Sequence, residues 1–194
     1  KYYLHSARAM LRSLAAHRPG TPVHLHLMDT STTQRAEAEA FARDLGLAVS
    51  TSSEELRPED RADIMAARGY FHAVRFVRLY QRLQLYPREL WLVDVDALIN
   101  RDPVELFRMR ADADIAIRAR PGRFEPWNQF SAAVVGVAPV EKTAGYLRLI
   151  AAYITHFYKK GLLGWGIDQL AMFAVDRKST RLNSSHVKRS RMPS

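Results

Sequence analysis

The stretch "ELWLVDVDALINRDPVE", Glu89 to Glu105, decides how the chain is read: two aspartates stand one residue apart at the end of an otherwise apolar run. An uninterrupted apolar run between helical patterns predicts a buried strand of a parallel sheet with helices on both faces. In an extended strand residues i and i+2 share a face, so Asp94 and Asp96 are expected to aim together. The carboxyl ends of such strands are where open α/β sheets bind ligands. Two like charges there repel each other and lose hydration, and a hard divalent cation with oxygen ligands removes both penalties. The competing expectation is that the strand ends early and leaves both aspartates in a solvated loop. Asp102 needs no ligand, because "DPVE" offers an N-cap, a proline at the first helical position and Glu105 to close a capping box.

Working upstream, the pattern from Tyr70 to Leu85 is helical, and Arg68, just before it, with Arg75, Arg78 and Arg82 recurs at spacings of seven, three and four, along one side. A stripe of guanidinium groups can grip a diphosphate, and the same spacing also describes a solvated basic face. Before it lie a polar connection, "SEELRPEDRADIMAARG", a strand in "LAVSTS", a helix in "TTQRAEAEAFARDLGL", a strand in "PVHLHLMD" and an opening helix that stops at Pro19-Gly20. Downstream, "ADIAIRAR" and "FSAAVVGVAP" read as strands, with a helix over about 141–159 and a last one from about Asp168. Asp168 follows a glycine and precedes an apolar periodic run, so simple N-capping explains it locally. The fold class is α/β.

With 194 residues and 47% hydrophobic content, the chain is long enough for one domain with a sizeable core. No apolar run reaches the roughly 18 residues of a membrane span, and no basic-then-apolar leader opens the sequence. The expectation is a cytoplasmic protein with no transmembrane segment. The absence of cysteine excludes disulfides and thiolate ligands, so any metal sits on oxygen or imidazole. The formal charge of +9 is uneven: six basic residues and no acidic ones follow Asp176, leaving 23 basic against 20 acidic in residues 1–176. The segment "RKSTRLNSSHVKRSRMPS", 177–194, has too little apolar surface to offset its chain entropy and reads as a disordered, non-native tail, translated read-through from an assembled sequence. Nucleic-acid binding therefore falls away with the tail charge. His24 and His26 alternate on one strand face, without a third ligand spaced nearby to make a zinc site.

The segments "RFVRLYQRLQLYPRELWLVDVDALINRDPVELF", "FSAAVVGVAP" and "WGIDQLAM", in this order and spacing, resemble the core of nucleotide-diphospho-sugar transferases of the GT-A fold, most like the glycogenin and lipopolysaccharide galactosyltransferase group. The resemblance covers about residues 2–175. It implies a Rossmann-like, mostly parallel sheet with helices on both faces, and a glycosyltransferase moving sugar from a nucleotide-diphosphate donor, a UDP-sugar, to a glycan, lipid or protein acceptor. Residues 1–176 are then a partial GT-A domain whose first strand lies before Lys1.

The resemblance also implies the roles. Asp94 and Asp96 match the Asp-x-Asp that coordinates Mn2+ or Mg2+, with Asp96 the direct ligand and Asp94 also facing the nucleotide. One arginine of the helix contacts the nucleotide, Arg78 or, in the other register, Arg75. Arg68 and Arg82 stay at the surface. Asp168 and Gln169 match an Asp-Gln beside the transferred sugar and are the catalytic candidates. Where the group has Asn-Ala-Gly this chain has Ser131, Ala132 and Ala133, so the amide contact to the sugar is lost or supplied by Asn128, with Ser131 as a donor. Tyr3 or Tyr2 stacks on the base, and Trp165 is a candidate to stack on a sugar or to serve the core. The group's downstream metal histidine is not assigned to His186.

Two other readings stand beside this one. An apolar strand ending in Asp-x-Asp is also the signature of haloacid-dehalogenase-type phosphatases, with Asp94 as nucleophile and Asp96 as general acid, although no later acidic pair completes a magnesium site. The chain is otherwise a nucleotide-sugar binding module without catalysis.

Overall fold

A computed structural model describes residues 2–58, 61, 63–108, 113–120 and 122–182. The elements in chain order are α1 (Tyr2–His17), β1 (Pro22–Met28), α2 (Thr32–Asp44), β2 (Ala48–Glu54), α3 (Ile64–Leu85), β3 (Leu90–Val93), α4 (Pro103–Arg108), β4 (Ile115–Ala119), a 3-10 turn (Pro126–Asn128), β5 (Phe130–Val137), α5 (Glu141–Lys159) and α6 (Ile167–Leu182). They form two compact units: residues 1–58 with 94–109, and residues 59–93 with 110–194.

Local chemistry explains the element ends in the first unit. The Ser31 hydroxyl accepts from Gln34 N at 3.2 Å while Gln34 Oε1 accepts from Ser31 N at 2.9 Å, a reciprocal capping box that starts α2. β1 and β2 pair in parallel, Pro22 beside Ala48 through Met28 beside Glu54. Their inner face sets Val23, Leu25 and Val49 against Met10, Leu11 and Leu14 of α1 and Ala42 of α2. The segment after Asp94 belongs to this unit. Ile99 packs into the same cluster, its amide donates to Ser13 Oγ at 2.9 Å, and Arg18 pairs with Asp102 at 2.7 Å. Asp102 caps α4 as its sequence predicts, accepting from Val104 N at 2.9 Å.

The second unit is built on an antiparallel sheet of order β3-β5-β4. Leu90 lies opposite Val137, and Ile115 lies opposite Val137 on the other side, so β5 is bonded along both edges. Val135 and Val137 of this central strand are buried with Phe76 of α3, Leu147 and Ile150 of α5, and Met172 of α6. Each such side chain contributes about 1.5–3 kcal/mol through removal of apolar surface from water.

The chain is thus mixed α/β, with a two-stranded parallel sheet and a three-stranded antiparallel one. The expected mostly parallel arrangement is corrected for the pivotal strand: β3 pairs with β5 in the antiparallel sense. A continuous apolar run records burial and carries no information about the direction of the neighbour. Helix α3 also starts earlier than Tyr70, at Ile64, where Asp63 O accepts from Ala67 N at 2.9 Å. Helix α6 continues to Leu182, past the start of the segment read as a tail, and 183–194 lie outside the described residues. Among the described residues no helix is long and apolar enough to cross a membrane.

Candidate functional site

Strand β3 stops at Val93, and Asp94, the first residue of the chain's return to the first unit, opens a turn closed by a bond from Ala97 N to Asp94 O at 3.0 Å. Asp94 is half-buried and Asp96, inside the turn, is exposed. The prediction that both project from one face of an extended strand is therefore corrected: the chain bends between them, because strand pairing ends one residue before Asp94. Among the described residues no group of three or more histidines, aspartates and glutamates lies placed to hold a metal ion. Two carboxylates form an incomplete protein cage, yet they suit an ion that takes its other ligands from diphosphate oxygens and water, the usual donor set of Mg2+.

In the second unit, α6 begins at Ile167 after a turn in which Gly166 adopts φ +81°, a conformation open to glycine at little cost. Asp168 enters the first helical turn and is only 1% exposed. Its carboxylate is divided. Oδ1 accepts from Gln169 N at 2.8 Å, and Oδ2 pairs with Nη2 of Arg75, whose Nε donates to His72 O at 2.8 Å. The Arg75 guanidinium also lies 5.7 Å from the Phe76 ring centroid. The local N-cap reading of Asp168 is corrected accordingly: it sits inside the first turn, where a negative charge complements the helix dipole, and its main partner comes from α3.

Beside it, Gln169 Oε1 is buried with no hydrogen-bond partner among the described residues. A buried acceptor left unmade costs about 1–3 kcal/mol. Trp127, at the 3-10 turn, approaches Gly166 so closely that a β-carbon there would stand 3.5 Å from Trp127 Cβ. Trp165, one residue before Gly166, is 62% exposed. Indole faces are thus available to solvent on the chain segments flanking Asp168.

The remaining candidates are placed as follows. Arg78 is half-buried and donates to Gln81 Oε1 at 2.7 Å, Arg68 is exposed, and the Arg82 guanidinium lies 5.9 Å from the Tyr86 ring centroid. Asn128 ends the 3-10 turn, its amide donating to Glu125 O at 2.8 Å. Ser131 is buried inside β5, opposite Arg118, and its hydroxyl accepts from Ala133 N at 3.4 Å. Tyr3 belongs to α1, with its side chain outside the described residues, and His186 also lies outside them. The structure brings Arg75, Asp168 and Gln169 together. Sequence reasoning named all three but had no signal for the Arg75–Asp168 pair, because its members are 93 residues apart.

Scanned against family models and curated protein sequences, the chain matches none.

Proposed function

We propose that this protein is a metal-dependent glycosyltransferase of GT-A type that moves a sugar from a nucleotide-diphosphate donor, a UDP-sugar, to a glycan, lipid or protein acceptor. The observation that carries the reading is the buried, unpartnered Oε1 of Gln169 next to a buried carboxylate already oriented by Arg75. A carboxylate has about four acceptor sites, and Arg75 and the Gln169 amide occupy two of them. Asp168 and Gln169 then accept hydroxyl protons from the sugar and hold its ring for reaction, while Arg75 holds the Asp168 carboxylate in place.

Asp94 and Asp96 are the carboxylates offered to Mn2+ or Mg2+, and Arg78 is the cation offered to the nucleotide. An ion held by Asp94 and Asp96 would supply positive charge against the negative charge of the diphosphate. During transfer the bond from the anomeric carbon to the phosphate oxygen breaks, the acceptor oxygen bonds to that carbon, and the acceptor's proton is released. The resembled group retains anomeric configuration, and the product anomer of this chain decides between retention and inversion.

The test is transfer from UDP-sugars in Mn2+ and in EDTA, with the product anomer read by NMR. Mn2+-dependent release of UDP with transfer of the sugar supports the proposal, whichever anomer forms. Turnover of a generic phosphoester, with UDP-sugars left intact, would replace it with the phosphatase reading.

A further inference from the structure

The parallel pairing of β1 and β2 puts His24 beside Ser50 and His26 beside Ser52, on the face opposite Val23, Leu25 and Val49. Along that face the side chains make one continuous chain of contacts. Ser50 Oγ lies 2.8 Å from His24 Nδ1, and His24 Nε2 lies 2.9 Å from Ser52 Oγ. Ser52 Oγ in turn lies 2.8 Å from His26 Nδ1, and His26 Nε2 lies 3.1 Å from Glu54 Oε2. All four ring nitrogens take part.

The carboxylate end fixes the direction of this ladder. An ionised Glu54 only accepts, so His26 Nε2 donates to it. With His26 neutral, its Nδ1 must accept the Ser52 proton; Ser52 then accepts from His24 Nε2, and His24 Nδ1 accepts from Ser50. Both imidazoles are Nε2–H tautomers and every bond points toward Glu54. One added proton reverses the upper part. An imidazolium at His26 donates from Nδ1 to Ser52, the Ser52 hydroxyl turns to His24 Nε2, and His24 carries its proton on Nδ1, donating to Ser50. The Ser50 hydroxyl has an alternative acceptor in Val23 O at 3.5 Å.

We propose that Ser50, His24, Ser52, His26 and Glu54 form a proton relay with two polarities, in which a proton taken up at His24 appears as charge on His26 beside Glu54. The step balances with one solvent proton. That proton bonds to His24 Nδ1, the proton on His24 Nε2 passes to Ser52 Oγ, and the former Ser52 hydroxyl proton passes to His26 Nδ1. Uptake is at the Ser50 end, which is exposed, whereas the His26 and Glu54 side chains are each 17% exposed. The charge settles at His26 because an anion at hydrogen-bond distance favours the imidazolium. Glu54 is a charged group on this face. On the opposite face Arg35 and Glu39 of α2 reach Ser53 and Thr51, and Asp29 at the end of β1 accepts from Leu56 N. Imidazoles change charge near neutral pH, so the relay changes polarity within the physiological range.

Long-range proton–nitrogen NMR of the uniformly labelled full chain, from about pH 8 to about pH 5, tests it directly. The expected result is Nε2–H on both rings at the alkaline end. As His26 gains its second proton, the His24 proton moves from Nε2 to Nδ1 with the same midpoint. Ser52→Ala removes the shared hydroxyl, so His26 still titrates and the His24 tautomer no longer follows. A His24 that keeps one tautomer while His26 titrates, or that still follows it in Ser52→Ala, overturns the relay, as does Nδ1–H on either ring at the alkaline end. The wild-type titration decides by itself if the variant does not fold.

Discussion

Asp96 and Asp168 carry the same carboxylate into opposite surroundings, one exposed in a turn and the other sealed against an arginine. Their substitutions should therefore separate cleanly. Asp96→Asn is expected to shift stability by less than about 0.5 kcal/mol, as befits an exposed site, while abolishing Mn2+-dependent donor binding. Chemical denaturation alongside binding checks both halves, and donor binding at the wild-type level would remove Asp96 from the metal role. Asp168→Ala leaves the Arg75 guanidinium without that carboxylate and should cost about 3–5 kcal/mol, whereas Arg75→Met with Asp168→Leu should cost far less than the single change. Urea midpoints of the two variants decide. At this scale the sequence was legible in part. Asp94, Asp96, Asp168 and Gln169 stand out by spacing and context, but the partner of Asp168 does not, since pairing across 93 residues leaves no local pattern. The serines and the glutamate that receive His24 and His26 were hidden for the same reason, although "STSSE" places them at alternating positions.

Elements were more legible than contacts, because periodicity and caps act within a few residues. The Asp102 cap of α4 and the span of α5 lie where the sequence predicts them. Strand direction was not legible, and the end of β3 fell before the aspartates because apolar character continues through Val95 after pairing has ended. Two contacts between elements make predictions of their own. Gly69 of α3 approaches the chain before α6 so closely that a β-carbon would lie 3.2 Å from Leu163 C and O and from Gly164 N. Gly→Ala inside a helix ordinarily gains up to about 1 kcal/mol, but here the backbone must move, so Gly69→Ala should lower the thermal midpoint. A raised midpoint in calorimetry would show that the loop yields freely. Tyr146 of α5 donates to Met172 O of α6 at 3.4 Å, and burial first, then the charge of Asp176, pushes its phenol above the ordinary value of 10.0. The folded phenol stays neutral where the unfolded one ionises. This contribution is level below about pH 10 and is lost as pH rises above it. Tyr146→Phe should flatten the alkaline limb of a stability profile while costing less than about 1 kcal/mol at neutral pH.

On the scale of the molecule, two compact units each enclose their own apolar cluster, and each contributes different chemistry. One carries the Asp94–Asp96 turn and the histidine ladder; the other carries the buried Arg75–Asp168 pair with the orphaned Gln169 acceptor. As proposed, two carboxylates too few to cage an ion alone hold one jointly with a nucleoside diphosphate. Metal and nucleotide must then bind cooperatively. The most direct measurement is calorimetric titration of UDP into the protein in Mn2+ and in EDTA, repeated with Asp96→Asn. UDP is expected to bind in Mn2+, and that binding to be lost in EDTA and lost again in Asp96→Asn at unchanged stability. UDP binding that is equal in Mn2+ and EDTA, or no binding in either, would contradict it.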